Sequence, residues 1–343
     1  MSSSIPATMR QVDYGAGGGP EVLRVVVGPV PTPGADDVLI EVHYAGVNGP
    51  DLAQRKGRYP PPPGASPLLG LEASGKVAAI GSSVTRWQVG DTVSALTPGG
   101  GYAEYCVAPA AHCLPLPPGF DLEHAGAIPE NFFTVWTNVI ERGRLVKGEM
   151  ILIHGGSGGI GYSAIQVAKA WGATVIATVG SDDKAAFARS MGADHTINYR
   201  THDFAEEAKR IASDSGKAGS KGGGIDVILD MVGGDYFKKN LGLLALEGRL
   251  VQIAFQQGSK IPDLDLMPIM MRRLTFTGST LRAQPASNKA RIAEGLLTHL
   301  WPLFGAGKLR VVIHRVFAFD DVVAAHAMLE SGQHLGKLLL KVR

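Results

Sequence analysis

Met150-Ile151-Leu152-Ile153-His154-Gly155-Gly156-Ser157-Gly158-Gly159-Ile160-Gly161 runs from a short apolar strand through a glycine cluster into a helix expected over Gly159–Trp171. Gly156 to Gly161 satisfies G-x-G-x-x-G, which carries meaning only between a strand and a helix, as here. Such a turn needs glycine for tightness, for close approach of a pyrophosphate to the backbone, and for packing of the helix on the sheet. Backbone amides at the helix start, helped by a dipole of about half a charge, then hold the anion. Gly156, Ser157, Gly158, Gly159, Ile160 and Gly161 are therefore expected to bind a dinucleotide, beyond the bland reading of an ordinary strand-to-helix turn.

Working outward, the downstream text alternates strands and helices. Strands are expected at Thr174–Val179, Asp194–Asn198, Ile225–Asp230 and Arg249–Ile253, with helices at Asp183–Ser190, Phe204–Ala212 and Tyr236–Leu244 between them. Regular β/α alternation with short connections predicts a doubly wound parallel sheet. Ser213–Gly224 reads as a surface loop rich in Ser, Gly and Lys. Upstream, Val22–Val27, Val38–Ala45, Leu71–Ile80, Thr92–Ala95 and Tyr102–Ala108 are short strand-like runs separated by Gly and Pro, which predicts a mostly antiparallel β domain with little helix. The first eight residues read as an extension. Beyond Met271 come strand Leu274–Gly278, a long helix over about Asn288–Phe304, strand Val311–Val316, helix Asp320–Ser331 and strand Lys337–Val342. The expected fold is α/β: a Rossmann domain over 128–272 inserted into a β domain made of 1–127 and completed by 273–343.

The end of the second strand bears on which dinucleotide binds. An NAD site places an acid there for the ribose 2′-hydroxyl. Thr178-Val179-Gly180-Ser181 has none, while Lys184 follows and Tyr199-Arg200 closes the next strand. Small residues, a hydroxyl and cations suit a 2′-phosphate, so NADPH is expected. Asp182 and Asp183 oppose this reading, but they stand where a helix N-terminus uses acids.

Hydrophobic residues are 45% of the 343 and charged residues 19%, enough for large cores in two domains. A net charge of +2 provides no basic footprint for nucleic acid. The two cysteines, Cys106 and Cys113, can build neither a disulfide framework nor a four-cysteine zinc lobe. Met1–Pro6 has no signal-peptide pattern, and no apolar run is long enough to span a membrane, so a soluble, cytoplasmic protein is expected.

Gly148-Glu149-x-x-Leu152-x-x-x-Gly156-Ser157-Gly158-Gly159-x-Gly161, followed by Gln166 and Lys169, resembles the signature of the quinone oxidoreductase (zeta-crystallin-like) branch of the medium-chain dehydrogenases. Asn48-x-x-Asp51, Gln54-Arg55-Lys56-Gly57-Arg58-Tyr59, Pro61–Ser66, Gly70–Gly75 and Gly90-Asp91 follow in that family's order. The stretches 54–66 and Asp230–Gly234 look most like its p53-inducible subgroup. The resemblance implies a GroES-like catalytic domain around the β strands and an NADPH-dependent, zinc-independent transfer of hydride to a quinone. It also implies that Gly180, Ser181, Lys184 and Tyr199 meet the 2′-phosphate. Ile253, Ala254, Phe255, Ser279, Thr280 and Leu281 would line the nicotinamide, with Asn48, Thr134 and Lys337 close to its ribose and the substrate.

Zinc alcohol dehydrogenases resemble the same fold, yet Asn48 and Leu71 stand where their first ligands would be, and neither can replace Cys or His. No metal is therefore expected. Quinones and activated alkenes accept hydride without a Lewis acid, given alignment and a donor for developing oxyanion charge. Asn48 and Tyr59 are the expected donors, with Asp51 and Arg55 as organisers behind them, and Gly99–Tyr102 with Phe132-Phe133 shaping an aromatic-tolerant pocket. Many relatives carry a tyrosine two residues after the Asp; here it is Ala53. The alternatives are an NADPH-dependent enone, alkenal or enoyl-thioester reductase and, less favoured, an NADPH-linked RNA-binding or crystallin-like protein. A homodimer through the edge strand Leu274–Gly278 is expected from the resemblance.

Overall fold

The structure is a computed structural model describing residues 5–214 and 223–343, so Met1–Ser4 and most of the 213–224 stretch lie outside the described residues. The chain divides into two compact units, one ending at Phe133 and resuming as Leu281–Arg343, the other Thr134–Thr280.

The first unit opens on a two-stranded antiparallel sheet, β1 (Thr8–Asp13) with β2 (Arg24–Pro29). Its main sheet is built on β3 (Asp37–Val47), whose apolar residues Val38, Leu39, Ile40, Val42, Ala45 and Val47 are all buried. A strand of that composition needs neighbours on both edges. Helix α1 (Gly49–Arg55) follows directly, and β4 (Glu72–Ile80), β5 (Thr92–Leu96), β6 (Tyr105–Pro109) and β7 (Cys113–Pro115) complete this part. β4 and β6 both pair antiparallel with β3. Two short helices, α2 (Leu122–Ala125) and α3 (Pro129–Val135), lead out of it.

In the second unit a π-helical segment, Trp136–Arg142, precedes β8 (Met150–His154), α4 (Gly159–Ala170), β9 (Thr174–Val179), α5 (Asp182–Ser190) and β10 (His195–Asn198). Then come α6 (Phe204–Asp214), β11 (Ile225–Asp230), α7 (Tyr236–Leu243), β12 (Leu244–Gln252), α8 (Met267–Met271) and β13 (Thr275–Gly278). All six strands are parallel, in the order β10-β9-β8-β11-β12-β13. The order reverses between β8 and β11, and ligands of such sheets bind outside the carboxyl ends at that point. Ile151, Leu152, Ile153, Val175, Ile176, Val227, Ile228 and Leu229 are fully or almost fully buried, as strands covered on both faces must be.

The chain returns to the first unit through α9 (Ala286–His299), α10 (Trp301–Gly305), β14 (Ile313–Ala318), α11 (Val322–Ser331) and β15 (Lys337–Lys341). β15 pairs antiparallel with β3, so the last strand borders the first long one.

Three features differ from the sequence reading. β13 hydrogen-bonds to β12, so residues 273–280 belong with the second unit, while 128–133 cluster with the first. The single helix expected over 288–304 is two helices meeting at Leu300, because Pro302 has no N–H to continue the ladder. Helix α1 has too few residues for an apolar repeat; its signal is the start Asn48-x-Pro50-Asp51, where the Asp51 carboxylate accepts from the Asn48 N–H at 2.9 Å.

Candidate active site

The second unit presents the glycine turn at the carboxyl end of β8. Gly155, one residue before the motif, takes φ +74° and makes the reversal. A Cβ on Gly156 would lie 2.8 Å from Ala177 Cβ, and one on Gly161 only 2.1 Å from the Gly155 carbonyl oxygen, so both are glycine because backbone and strand pack against them. A Cβ on Gly158 would meet nothing within 4 Å, so space is open on that side of the turn. Gly158 caps α4, with Ser157 buried and Ile160 half-buried beside it.

A buried polar chain ties the strand ends together behind this turn. Asn240 donates through Nδ2 to Asp230 (3.1 Å), so its Oδ1 accepts from His154 Nε2 (2.9 Å). His154 Nδ1 is then left to accept from the Thr178 hydroxyl at 3.0 Å. Burial lowers the His154 pKa, consistent with the neutral ring this direction requires.

At the end of β9, Ser181 caps α5 by accepting from the Lys184 N–H. A Cβ on Gly180 would lie 2.6 Å from the Tyr199 hydroxyl, so the glycine leaves room for that phenol. Lys184 has its pKa lowered by burial and by the neighbouring Arg200. Asp182 is engaged by Asn198 at 3.0 Å, in keeping with a structural role for that acid. Ile253, Ala254 and Phe255 leave β12 at the same edge of the sheet. Ser279 and Thr280 leave β13 there, with the Ser279 hydroxyl donating to Asn138 Oδ1 at 2.9 Å. Asn138 in turn donates to the Thr134 carbonyl at 2.9 Å, so Thr134 and Ser279 are linked through the π-helical segment. Thr134, the glycine turn, Gly180, Ser181, Lys184, Tyr199, Ile253–Phe255 and Ser279-Thr280 thus all belong to the second unit; Asn48, Leu281 and Lys337 belong to the first.

In the first unit, Lys337 at the start of β15 is buried against Asn48, Glu72 and Asn131. Its ammonium donates to Asn48 Oδ1, lies 2.5 Å from Glu72 Oε1, and reaches Asn131 Oδ1 at 3.4 Å. The other Glu72 oxygen accepts from the Glu130 N–H at 2.9 Å. Asn48 Nδ2 donates to Glu72 (2.9 Å) and to the Gly46 carbonyl (3.2 Å). Both amide hydrogens are thereby spent, so the expected role of Asn48 as an oxyanion donor passes to another group; Asn48 positions the ammonium instead. Zinc does not fit this donor set: a fixed cation already sits among its oxygens, and Leu71 is a buried aliphatic. The Cys106 thiol, pushed up to about 12 by burial, and buried Cys113 are not thiolate ligands either. Among the described residues no group of three or more His, Cys, Asp or Glu could hold a metal ion.

A second buried chain supports Asp51, and its direction follows from valence. Arg55 carries only donors, so His326 Nδ1 must accept from it at 2.9 Å. The ring proton is therefore on Nε2 and points to the Tyr102 oxygen at 3.3 Å, which leaves Tyr102 to donate to Asp51 Oδ2, also at 3.3 Å. Asp51 receives two further donors, the N–H groups of Asn48 and Gly70 at 2.9 Å each. Burial nevertheless pushes this carboxyl up to about 6. Burial with the nearby Arg55 holds His326 down near 3, so the ring is neutral. At the far end Arg55 is itself fully buried and paired with Glu330.

Tyr59 is half-buried, its ring near the Arg282 guanidinium (6.0 Å to the centroid). Burial and the charge of Glu130 push the phenol up to about 12, partly offset by Arg282. A phenol held that high keeps its proton at neutral pH, so the Tyr59 hydroxyl can donate. Arg282 is buried and donates to Gln54 (2.6 Å) and the Pro98 carbonyl (2.8 Å). Phe132 and Phe133 are fully buried and Tyr102 serves Asp51, so none of the three shapes an open pocket. Sequence reasoning missed Glu130, Asn131, the pairing of Tyr102 with His326, and the turn role of Gly155. Glu130-Asn131 had a signal, a charge and an amide inside the apolar run Ala125–Val139.

Comparison with known proteins agrees with this geometry. The alcohol dehydrogenase GroES-like domain profile matches residues 34–118, and the zinc-binding dehydrogenase profile matches residues 159–296. The quinone oxidoreductase of Pseudomonas syringae pv. tomato DC3000 is 31% identical, with TM-score 0.85 over 97% of this chain and 100% of that one. That of Escherichia coli, complexed with NADPH, is 29% identical, with TM-score 0.83 over 98% and 100%. CurK enoyl reductase is 27% identical, with TM-score 0.82 over 98% and 100%. A phthioceranic/hydroxyphthioceranic acid synthase of Mycobacterium tuberculosis is 32% identical over 90% of this chain, which spans only 14% of the synthase. The chain belongs to the medium-chain dehydrogenase/reductase family, on its quinone oxidoreductase branch.

Proposed function

We propose that the protein is an NADPH-dependent, zinc-independent reductase that delivers hydride to a quinone. The observation that carries this reading is Lys337 seated among Asn48, Glu72 and Asn131. An ammonium among those oxygens leaves no room there for a metal Lewis acid, which favours a substrate electrophilic in its own right.

The phosphate side supports NADPH. Ser181, Tyr199 and the paired cations Lys184 and Arg200 surround Gly180, with no acid at the tip of β9. Two cations on that side suit the charge of a 2′-phosphate better than a diol. The quinone oxidoreductase of E. coli, solved with NADPH, supports the same choice. When bound, NADPH supplies the hydride and its electron pair. The chain's own part is to hold the phosphates on the glycine turn at the start of α4, to exclude water, and to donate the Tyr59 hydroxyl hydrogen to the oxygen that gains charge. A second copy of the chain is the expected partner, paired along β13.

NADPH consumption with 1,4-benzoquinone, 9,10-phenanthrenequinone and short 2-alkenals, with and without a chelator, tests the reading. Quinone turnover indifferent to the chelator is expected; turnover lost on chelation overturns it. Turnover of enones or enoyl thioesters alone selects the second reading, an enoyl reductase, which the likeness to CurK enoyl reductase and to the synthase favours.

A further inference from the structure

Three buried carboxyls, Asp51, Glu72 and Glu130, share the interior beside Asn48 with Lys337, while Arg282 and Lys289 are buried within electrostatic reach of Glu130. Glu72 has both oxygens committed, one to Lys337 and Asn48, the other to the Glu130 N–H. Asp51 likewise accepts from Gly70 on one oxygen and from Asn48 and Tyr102 on the other. The Glu130 carboxyl, 8% exposed at the start of α3, receives no hydrogen bond from any described residue. A buried carboxylate without donors is the costly member of such a trio. Of the three, Glu130 is therefore the carboxyl readiest to hold a proton. The same side chain is within electrostatic reach of the Tyr59 phenol, the candidate oxyanion donor.

We infer that Glu130 is the acid that supplies the substrate's proton in each turnover, a role that rests on the reductase reading above. In the step, the Glu130 O–H bond breaks and its proton passes to the reduced quinone oxygen, or to the α-carbon in the case of an enone. Both electrons arrive with the hydride from NADPH, and water returns the proton to the Glu130 carboxylate. The groups facing Glu130 are Glu72 on β4, Asp51 on α1, Tyr59 beyond α1, Lys337 on β15, Arg282, and Lys289 on α9. Burial, reinforced by Glu72, pushes its carboxyl up to about 8 against the pull of Lys337 and Arg282, so the acid form is present at neutral pH.

The test pairs kinetics with a readout independent of turnover. In the wild type, kcat for the best acceptor is expected to fall tenfold per pH unit above about 8. Glu130→Gln is expected to lower kcat by about 100-fold, to remove that alkaline limb, and to leave the KM for NADPH unchanged. The infrared band of a protonated carboxyl at neutral pH is expected in the wild type and absent from Glu130→Gln. Unchanged kcat and limb, or an unchanged band, would overturn the role of Glu130 alone. Wild-type protein that oxidises NADPH with none of the acceptors overturns the reductase reading and this role together. Should Glu130→Gln fail to fold, Glu130→Asp carries the test: its alkaline limb is expected to move, and a limb left in place counts against Glu130.

Discussion

Burial, and then the charge of Arg200, lower the Lys184 pKa, and these two cations suit a 2′-phosphate. Lys184→Ala should therefore raise the KM for NADPH at least tenfold while changing that for NADH little; equal changes for both would place the 2′-phosphate elsewhere. Glu130 has a consequence for stability as well as chemistry. Its folded carboxyl sits near 8 and its ordinary value is 4.5, so between these the folded chain keeps a proton that the unfolded chain has released. Stability must then fall as pH rises through that window, by up to about 1.4 kcal/mol per unit. Thermal melts from pH 5 to 8 should decline more steeply for the wild type than for Glu130→Gln. Tyr102→Phe removes one donor from Asp51 and strands the His326 Nε2–H. A loss of about 1–3 kcal/mol in denaturant unfolding is expected; an unchanged unfolding free energy would mean that this chain does not support Asp51.

At the scale of elements, the strand–turn–helix unit β8–α4 was legible because its signals are local: an apolar strand, glycines at fixed offsets, and a helical repeat. β8, β9 and β11 begin and end where the sequence places them. The first unit was less legible. Its short helices rest on capping and tertiary packing rather than on periodicity, and the edge strand β13 reveals its sheet only through its partner β12. Gly161→Ala would drive a methyl into the Gly155 carbonyl. A cost of about 1–3 kcal/mol or more and a marked loss of NADPH affinity are expected, the latter read by fluorescence titration. β13 leaves Phe276 49% exposed on an open edge, and the preceding helix leaves Met270 and Met271 66% and 65% exposed. Phe276→Glu should convert a dimer to a monomer in sedimentation; a wild-type monomer would end that proposal.

For the whole molecule, composition and motif order were enough for two units and a nucleotide fold, whereas the acid–base chemistry was hidden. Residues 48, 72, 130 and 337 are scattered through the text, and only the pairing of β15 with β3, and of β3 with β4, brings their neighbourhood together. Asn48 and Lys337 are 289 positions apart and touch. The chain is made from its amino end, so this contact has an order in time. Asn48 and Glu72 leave the ribosome early, and the second unit can fold as a continuous piece while they wait. Until residue 337 follows, Glu72 has no cation to justify its burial. A nascent chain stalled before β15 would thus carry a finished nucleotide fold beside an unassembled acid cluster, and the chemistry would switch on only with the last strand.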